Sequence, residues 1–390
     1  MEVYLDNNST TPMDKKVKEV YCNATDVYGN VNVIYKKGSE ARDYLNLAYD
    51  MLYPAINAKD EDDIIITSST TEGNNTVIKT FLDAYLQGSE KKHIISCVAE
   101  HASVKATIAY CKKFGMEATY LPTDENGRIS LFDLEDAIRE DTALITILTA
   151  SNESGAIQAI KEISKIAKKY NIPFHSDGAQ TIGKIKVDVE ELGVDYFTFS
   201  AHKFHGPKGV GGLYVRNGAP YQNLIHGGNQ MGSKRGGSVY TNGMFAMAYA
   251  AKLANENLDY MNSEVKRLRD KLAKAILEIE DTKIYVDEKY RLPNTITASF
   301  RGIEGEAMLW DLNQLGIYAA TGSSCSSERL EGSEVLEALG EDPEIAHTAI
   351  IFSLSRFTTE EEIDYVIEHL PKVVERLRSI SMTYAKVKPE

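Results

Sequence analysis

Cysteine is scarce in this 390-residue chain: Cys22, Cys97, Cys111 and Cys325 are the whole set, and none stands in a CxxC pair. That spacing excludes a zinc site or a disulfide framework and fits a compartment where thiols stay reduced. Long apolar runs are also missing. No uninterrupted stretch approaches the ~20 residues needed to cross a bilayer, so no membrane segment is expected. The start, "MEVYLDNNSTTP", lacks a basic region followed by an apolar run. No signal peptide is therefore expected, and the cytoplasm is the simplest location. Positive charge is in deficit as well. Against 57 Asp and Glu stand 43 Lys and Arg, a formal net charge of −14. A nucleic-acid-binding surface needs the opposite balance.

What is present reads as an ordinary globular protein, with 43% hydrophobic and 26% charged residues. The length exceeds one ordinary core, so a large and a smaller domain are expected. From about residue 60 to 215, short apolar runs alternate with helical patterns. "DDIIITSS", "KHIISCVA", "TALITILTA", "IPFHSD", "VDYFTFS" and "GGLYVR" read as strands. "TEGNNTVIKTFLDAYL", "HASVKATIAYCKKFG" and "KEISKIAKKY" read as helices between them. Such alternation predicts an α/β fold with a mainly parallel, buried central sheet and flanking helices. A long helix, "SEVKRLRDKLAKAILEI", then leads into a smaller α+β part. That part ends in a strand and a helix capped by Thr358 or Thr359, with glutamates in its first turn. The expected division is a large domain over 13–257 and a small domain formed by 1–12 and 258–390.

In open α/β sheets, ligands bind outside the carboxyl ends of the strands. The strand ends here carry Thr70, Thr71 and Glu72; Glu100 and His101; Ser151, Asn152 and Glu153; Ser176, Asp177 and, just beyond, Gln180; and Ser200, His202 and Lys203. Each has an ordinary reading when taken singly. Thr71 fits a helix N-cap, Asn152 a turn, and Lys203 a solvated loop. Together they meet the needs of pyridoxal phosphate. A lysine amine forms a Schiff base with the cofactor, and a carboxylate keeps the pyridinium nitrogen protonated. A helix N-terminus receives the phosphate. The glycines of "SAHKFHGPKGVGG" then read as room for the cofactor beside Lys203.

With these residues the chain resembles the cysteine desulfurases of the NifS/IscS type, within the fold-type I pyridoxal-phosphate transferases. The likeness runs from "YLDNNSTTP" through "EHASV", "HSDGAQTIGK", "SAHKFHGPKGVGGLYVR", "HGGNQMGSKRGGS" and "ATGSSCSS" to "FSLSRFTTEEEID". The resemblance implies that Lys203 holds pyridoxal phosphate covalently and that His101 stacks on its ring and moves protons. It implies that Asp177 pairs with the ring nitrogen and Gln180 bonds the phenolic oxygen. Thr70, Thr71, Ser200 and His202 surround the phosphate, and Ser238 adds a hydroxyl from the partner subunit of a homodimer. Asn152, Arg356 and Asn7 fall to the substrate, Asn152 also touching the cofactor. A guanidinium suits a carboxylate through its bidentate geometry. Cys325 matches the catalytic cysteine, while Cys22, Cys97 and Cys111 read as core fillers.

The implied reaction converts L-cysteine to L-alanine. Sulfur passes to a persulfide on Cys325 and on to an acceptor such as a NifU/IscU-like iron–sulfur scaffold protein. Neither metal, nucleic acid nor membrane enters the expected activity. Two other readings use many of the same residues: a related lyase or aminotransferase, which has no use for Cys325, and a cofactor-binding scaffold without catalysis. Departures from the family pattern fall at Tyr35, Ser151, Gly178 and Ile351, and at Ser324 and Ser326 around Cys325. A glycine beside Asp177 is expected to loosen its turn by roughly 0.5–1 kcal/mol.

Overall fold

The structure is a computed structural model that describes residues 1–322 and 333–385. The chain enters through a short strand, β1 (Val3–Tyr4), and two helices, Lys15–Ala24 and Lys36–Ile56. The main sheet then forms from β2 (Asp63–Thr67), β3 (His93–Cys97), β4 (Glu117–Leu121), β5 (Thr142–Thr146), β6 (Phe174–Asp177), β7 (Tyr196–Ser200) and β8 (Gly211–Val215). Its order is β2-β8-β7-β6-β5-β3-β4. The pairs β4–β3, β3–β5, β5–β6 and β6–β7 are parallel. Strand β8 runs antiparallel between β7 and β2. The mainly parallel sheet expected from the alternating pattern is present.

Period-two alternation explains how the sheet is buried on both faces. Ile64, Ile66, Ile95, Cys97, Phe197 and Phe199 face one apolar cluster. Ile65, Ile94, Leu144, Tyr196 and Leu213 face the other, under the helices Thr70–Leu86 and Ala102–Lys112. Strand ends are thereby fixed relative to one another, and the helices that follow begin at one rim of the sheet.

A second sheet is built from β9 (Thr282–Ile284), β10 (Thr295–Phe300), β12 (Ala320–Thr321) and β13 (Ala349–Ser353), all antiparallel. Strand β11 (Ile317–Tyr318) pairs in parallel with β1. The helix read over 263–279 begins instead as a π turn, Met261–Val265, and continues as Lys266–Leu277. Leu268, Leu272 and Ile276 on it share an apolar cluster with Ile363, Val366 and Leu370 of the helix Glu360–Ile380. Thr359, not Thr358, caps the latter. Its hydroxyl accepts from Glu362 N–H, and the Glu362 carboxylate accepts from Thr359 N–H, a full capping box. Thr358 instead accepts from Ser355 N–H.

Three sequence expectations change. Cys22 is exposed on its helix, so only Cys97 and Cys111 are core fillers. Ile351 is buried in β13, paired with Thr297 and Ala320, which accounts for an apolar side chain there. Gly178 is required by packing rather than loosening its turn: a Cβ there would lie 1.9 Å from Cζ of Phe197.

Candidate active site

Residues 6–14 cross from the second sheet to the carboxyl rim of the first. Asn7 N–H donates to Ser353 O, Thr11 N–H to His202 O and Asp14 N–H to His205 O. This crossing lays Asn8 and Ser9 over Lys203. The Lys203 amine donates to Asn8 O at 2.7 Å and to Ser9 O at 2.8 Å. Lys203 closes a short 3-10 turn, Ala201–Lys203, directly after β7.

His205 secures this crossing. Its N–H donates to the Thr11 hydroxyl, and its ring bonds Pro12 O and packs edge-on against Phe357. It holds a left-handed φ of 67°, a conformation uncommon for a side-chain-bearing residue. Glycines beyond it are required by packing within the protein. A Cβ on Gly206 would lie 2.8 Å from that of Ala201, and one on Gly211 2.5 Å from Phe199 O. Lys208 is exposed.

Asp177 ends β6 and is buried. One carboxylate oxygen accepts from Asn74 Nδ2 at 2.8 Å, the other from Ala179 N–H at 2.9 Å. Asn74 also donates to Ser103 Oγ and accepts from Thr198 Oγ1, so its amide orientation is determined by three partners. Ser103 in turn bonds His101 Nδ1 through its hydroxyl at 2.8 Å and its N–H at 3.1 Å. A backbone N–H only donates, so Nδ1 is an acceptor and the ring proton sits on Nε2. Burial holds the His101 imidazole below its ordinary pKa, opposed by Asp177 and aided by Lys203 and Lys105. The ring is therefore kept neutral beside the carboxylate. Asn74 and Ser103 escaped the sequence reading. Asn74 stands four residues after Thr70 on one helix, so helical spacing placed it on the same face.

The helix Thr70–Leu86 is capped by Ser69, which displaces Thr71 from the N-cap role. Thr70 N–H donates to Ser200 Oγ at 2.7 Å, and the two hydroxyls lie 2.8 Å apart. Thr71 is exposed in the same first turn. His202 bonds the Thr10 hydroxyl and is held neutral, its pKa pulled down to about 4 by burial and by Lys203 and Lys208. Hydroxyls, neutral imidazole and a helix N-terminus thus converge where an anion is favoured.

Arg356 pairs with Asp14 at 2.5 Å, both largely buried. It lines a small cavity with Lys203, Lys184, Asn7, Thr11 and His205. Asn7 donates through Nδ2 to Ser353 O, while its buried Oδ1 has no hydrogen-bond partner among the described residues. Asn152 reaches the same place through its carbonyl, which accepts from Asn8 Nδ2. Ser151 Oγ accepts from the N–H groups of Glu153 and Ser154, so the serine at this position supports the turn. Ser238 is exposed and apart from these contacts within the chain. Cys325 lies outside the described residues.

The donor set fits pyridoxal phosphate. A buried carboxylate answers a protonated ring nitrogen, a capped helix start with two hydroxyls answers a phosphate, and Lys203 supplies an amine at the same rim of the sheet. Comparison with known proteins agrees. Residues 3–366 match the family described as aminotransferase class-V. The curated "Cysteine desulfurase IscS" of Dictyoglomus turgidum is 43% identical, over 97% of this chain and 96% of the relative. Its namesake from Methanosarcina thermophila is 41% identical, over 97% and 93%. A solved "NifS-like protein" superposes with a TM-score of 0.90 at 36% identity, covering 97% of this chain and all of its own. Fold and site therefore define a fold-type I, pyridoxal-phosphate-dependent enzyme. Within that class the chain belongs to the aminotransferase class-V family, with the cysteine desulfurases of the NifS/IscS type.

Proposed function

We propose that this protein takes sulfur from L-cysteine, releases L-alanine and carries the sulfur as a persulfide on Cys325. The carrying observation is the junction at Glu153. Ser333 Oγ donates to Glu153 Oε2 at 2.6 Å, and a Cβ on Gly322 would lie 2.9 Å from the same oxygen. These residues flank the interval containing Cys325. Glu153 adjoins Asn152, whose carbonyl is bonded to Asn8, the residue that also receives Lys203. Both flanks of the Cys325 interval therefore meet Glu153, whose neighbour Asn152 is joined through Asn8 to the lysine.

Pyridoxal phosphate, when bound, supplies an electron sink for negative charge developing at the substrate Cα. Lys203 would hold it, with Asp177, Gln180, His101, Thr70, Thr71, Ser200 and His202 around it and Ser238 given by a second copy in a homodimer. Arg356 and Asn7 orient the substrate, the carboxylate exchanging for Asp14 on the guanidinium. His101, neutral with its proton on Nε2, moves protons at the substrate. The Cys325 thiolate attacks the substrate sulfur: an S–S bond forms and the Cβ–S bond breaks. Protonation at Cβ leaves alanine. Cysteine and one thiol are thus converted to alanine and one persulfide.

The same reading places the enzyme in the cytoplasm, with 13–257 as the cofactor-binding domain and 1–12 with 258–390 as the smaller one. Its acceptor is an iron–sulfur scaffold protein or another sulfur acceptor. The test is Cys325→Ala, assayed for persulfide and alanine from cysteine with added pyridoxal phosphate. Persulfide is expected to vanish while cofactor absorption stays. Sulfide release equal to that of the parent would sink the persulfide route.

A further inference from the structure

A second lysine stands in the crevice, and the reaction as described makes no use of it. Lys184 is 4% exposed. Its amine donates to Gln180 Oε1, a very close contact, and to Asn8 Oδ1 at 2.8 Å. Gln180 Nε2 points the other way and donates to Asn8 O at 2.8 Å, the oxygen that also accepts from Lys203. The two lysines thus sit on opposite sides of one glutamine amide.

A glutamine amide has two orientations of similar shape, and its neighbours decide between them. An amine whose hydrogens face Gln180 requires the amide oxygen on its side. The Nε2 group is then forced toward Lys203. With a hydrocarbon at position 184 that requirement disappears, and Asn8 O alone remains to favour the observed orientation. The Asn8 side chain is itself held by Asn152 O, Thr295 Oγ1 and Asn294 Nδ2, so the Oδ1 that receives Lys184 is a fixed reference. Gln180 and Lys184 lie four residues apart, which brings them together in the turns following Asp177.

We propose that Lys184 is a positioning residue that fixes the Gln180 amide with its N–H group toward the cofactor held at Lys203. The proposal rests on the cofactor reading of the site given above. The amine is suited to the task because its charge is not obligatory. Burial, and Lys203 after it, pull the Lys184 ammonium well below its ordinary range. A neutral amine still offers N–H donors to Oε1 and Oδ1, so the geometry survives without an ionised lysine beside a second one.

The consequence falls on the cofactor's ring oxygen. A donor fixed toward that oxygen favours its anionic form, and loss of the donor raises its hold on a proton. The test is a pH titration of visible absorption in the pyridoxal-phosphate-loaded full chain. It compares the parent, K184M, K184R, Q180A and the double variant K184M/Q180A, with melting curves confirming that each is folded. For K184M the absorption midpoint is expected to rise by about one pH unit, a tenfold change in proton affinity. K184R, which keeps a donor, should stay with the parent. In Q180A the midpoint should rise as well, and adding K184M to it should move it no further. A folded K184M with an unmoved midpoint overturns the proposal. So does a double variant whose shift is the sum of the two, because Lys184 would then act independently of Gln180. Should K184M not fold, K184A carries the same expectations. A parent chain whose absorption is absent, or is unchanged by Lys203→Ala, overturns the cofactor reading itself and this inference with it.

Discussion

Two pairs of cations invite comparison, one in the crevice and one near the second sheet. Arg269 is fully buried and pairs with Asp270 at 2.6 Å, with Glu288 at 3.8 Å; its Nη1 donates to Leu292 O. Arg291, close by, is pulled down to about 10 by burial and by Arg269. In the crevice, Lys184 and Lys203 are held by amide and backbone oxygens: Asn8 Oδ1, Gln180 Oε1, Asn8 O and Ser9 O. The difference follows from chemistry. A guanidinium does not lose its proton in a protein, and fully buried Arg269 keeps the Asp270 carboxylate beside it. A lysine amine can lose one, so neutral oxygens suffice. Near the second sheet the cation is a fixed structural part; in the crevice it is available for reaction.

Substitutions sharpen the contrast. Lys203→Ala should lower the rate of alanine formation by at least about 10³-fold, as removal of a covalent catalyst does. Its melting temperature without cofactor should move little, since the amine bonds backbone oxygens at the half-buried rim of the sheet. Arg269→Met should do the reverse. It removes the buried cation beside Asp270 and one of the donors to Leu292 O, a cost of about 3 kcal/mol in denaturant unfolding. Alanine formation per folded molecule should hold. If Arg269→Met lost activity without losing stability, the contrast between the two pairs would fail.

Gly178→Ala probes the floor beneath Asp177. The added methyl meets the Phe197 ring, and overpacking of this kind costs about 1–3 kcal/mol. Pairing it with Phe197→Leu should recover part of that loss, measured by thermal melts of the double variant.

Glu153→Gln gives an effect that depends on pH. Burial raises the Glu153 carboxyl to about 7, with Ser333 and Lys105 opposing and Glu334 assisting the rise. In the unfolded chain a glutamate titrates near 4.3. Between those values the folded state binds the extra proton, so the folded state is favoured at low pH and loses that advantage as pH climbs through 7. The glutamine cannot ionise. Relative to the parent, Glu153→Gln should therefore gain stability between pH 5 and 8, by at most roughly 3 kcal/mol. Equal melting-temperature differences at both pH values would show that the carboxyl does not titrate there.

Much of this was legible before any coordinates. The alternating strands and helices placed Thr70, His101, Asp177, Ser200 and Lys203 at strand ends, because a parallel sheet sends its carboxyl ends to one rim. The supporting residues were harder to read. Asn74 and Ser103 look like ordinary helix polar residues, and only their meeting between Asp177 and His101 gives them a task. Asn8 is one asparagine in "DNNST", yet it contacts Gln180, Lys184, Lys203 and Asn152 together. Asp14 and Arg356 are 342 positions apart in the chain. Gly178 was misread for the same reason, since Phe197 presses on it from a neighbouring strand.

The sequence by itself determined the sheet, the helices and the reactive groups at the strand ends, because periodicity is a local property of neighbouring residues. Tertiary structure alone decided how those groups are oriented. The segment 6–14, laid across the rim, brings Asn8 between two lysines and Asp14 against Arg356. Asp177 and Thr198, distant in the chain, select the Asn74 amide orientation, which no local pattern encodes, whereas the His101 tautomer is set locally by Ser103 two residues on.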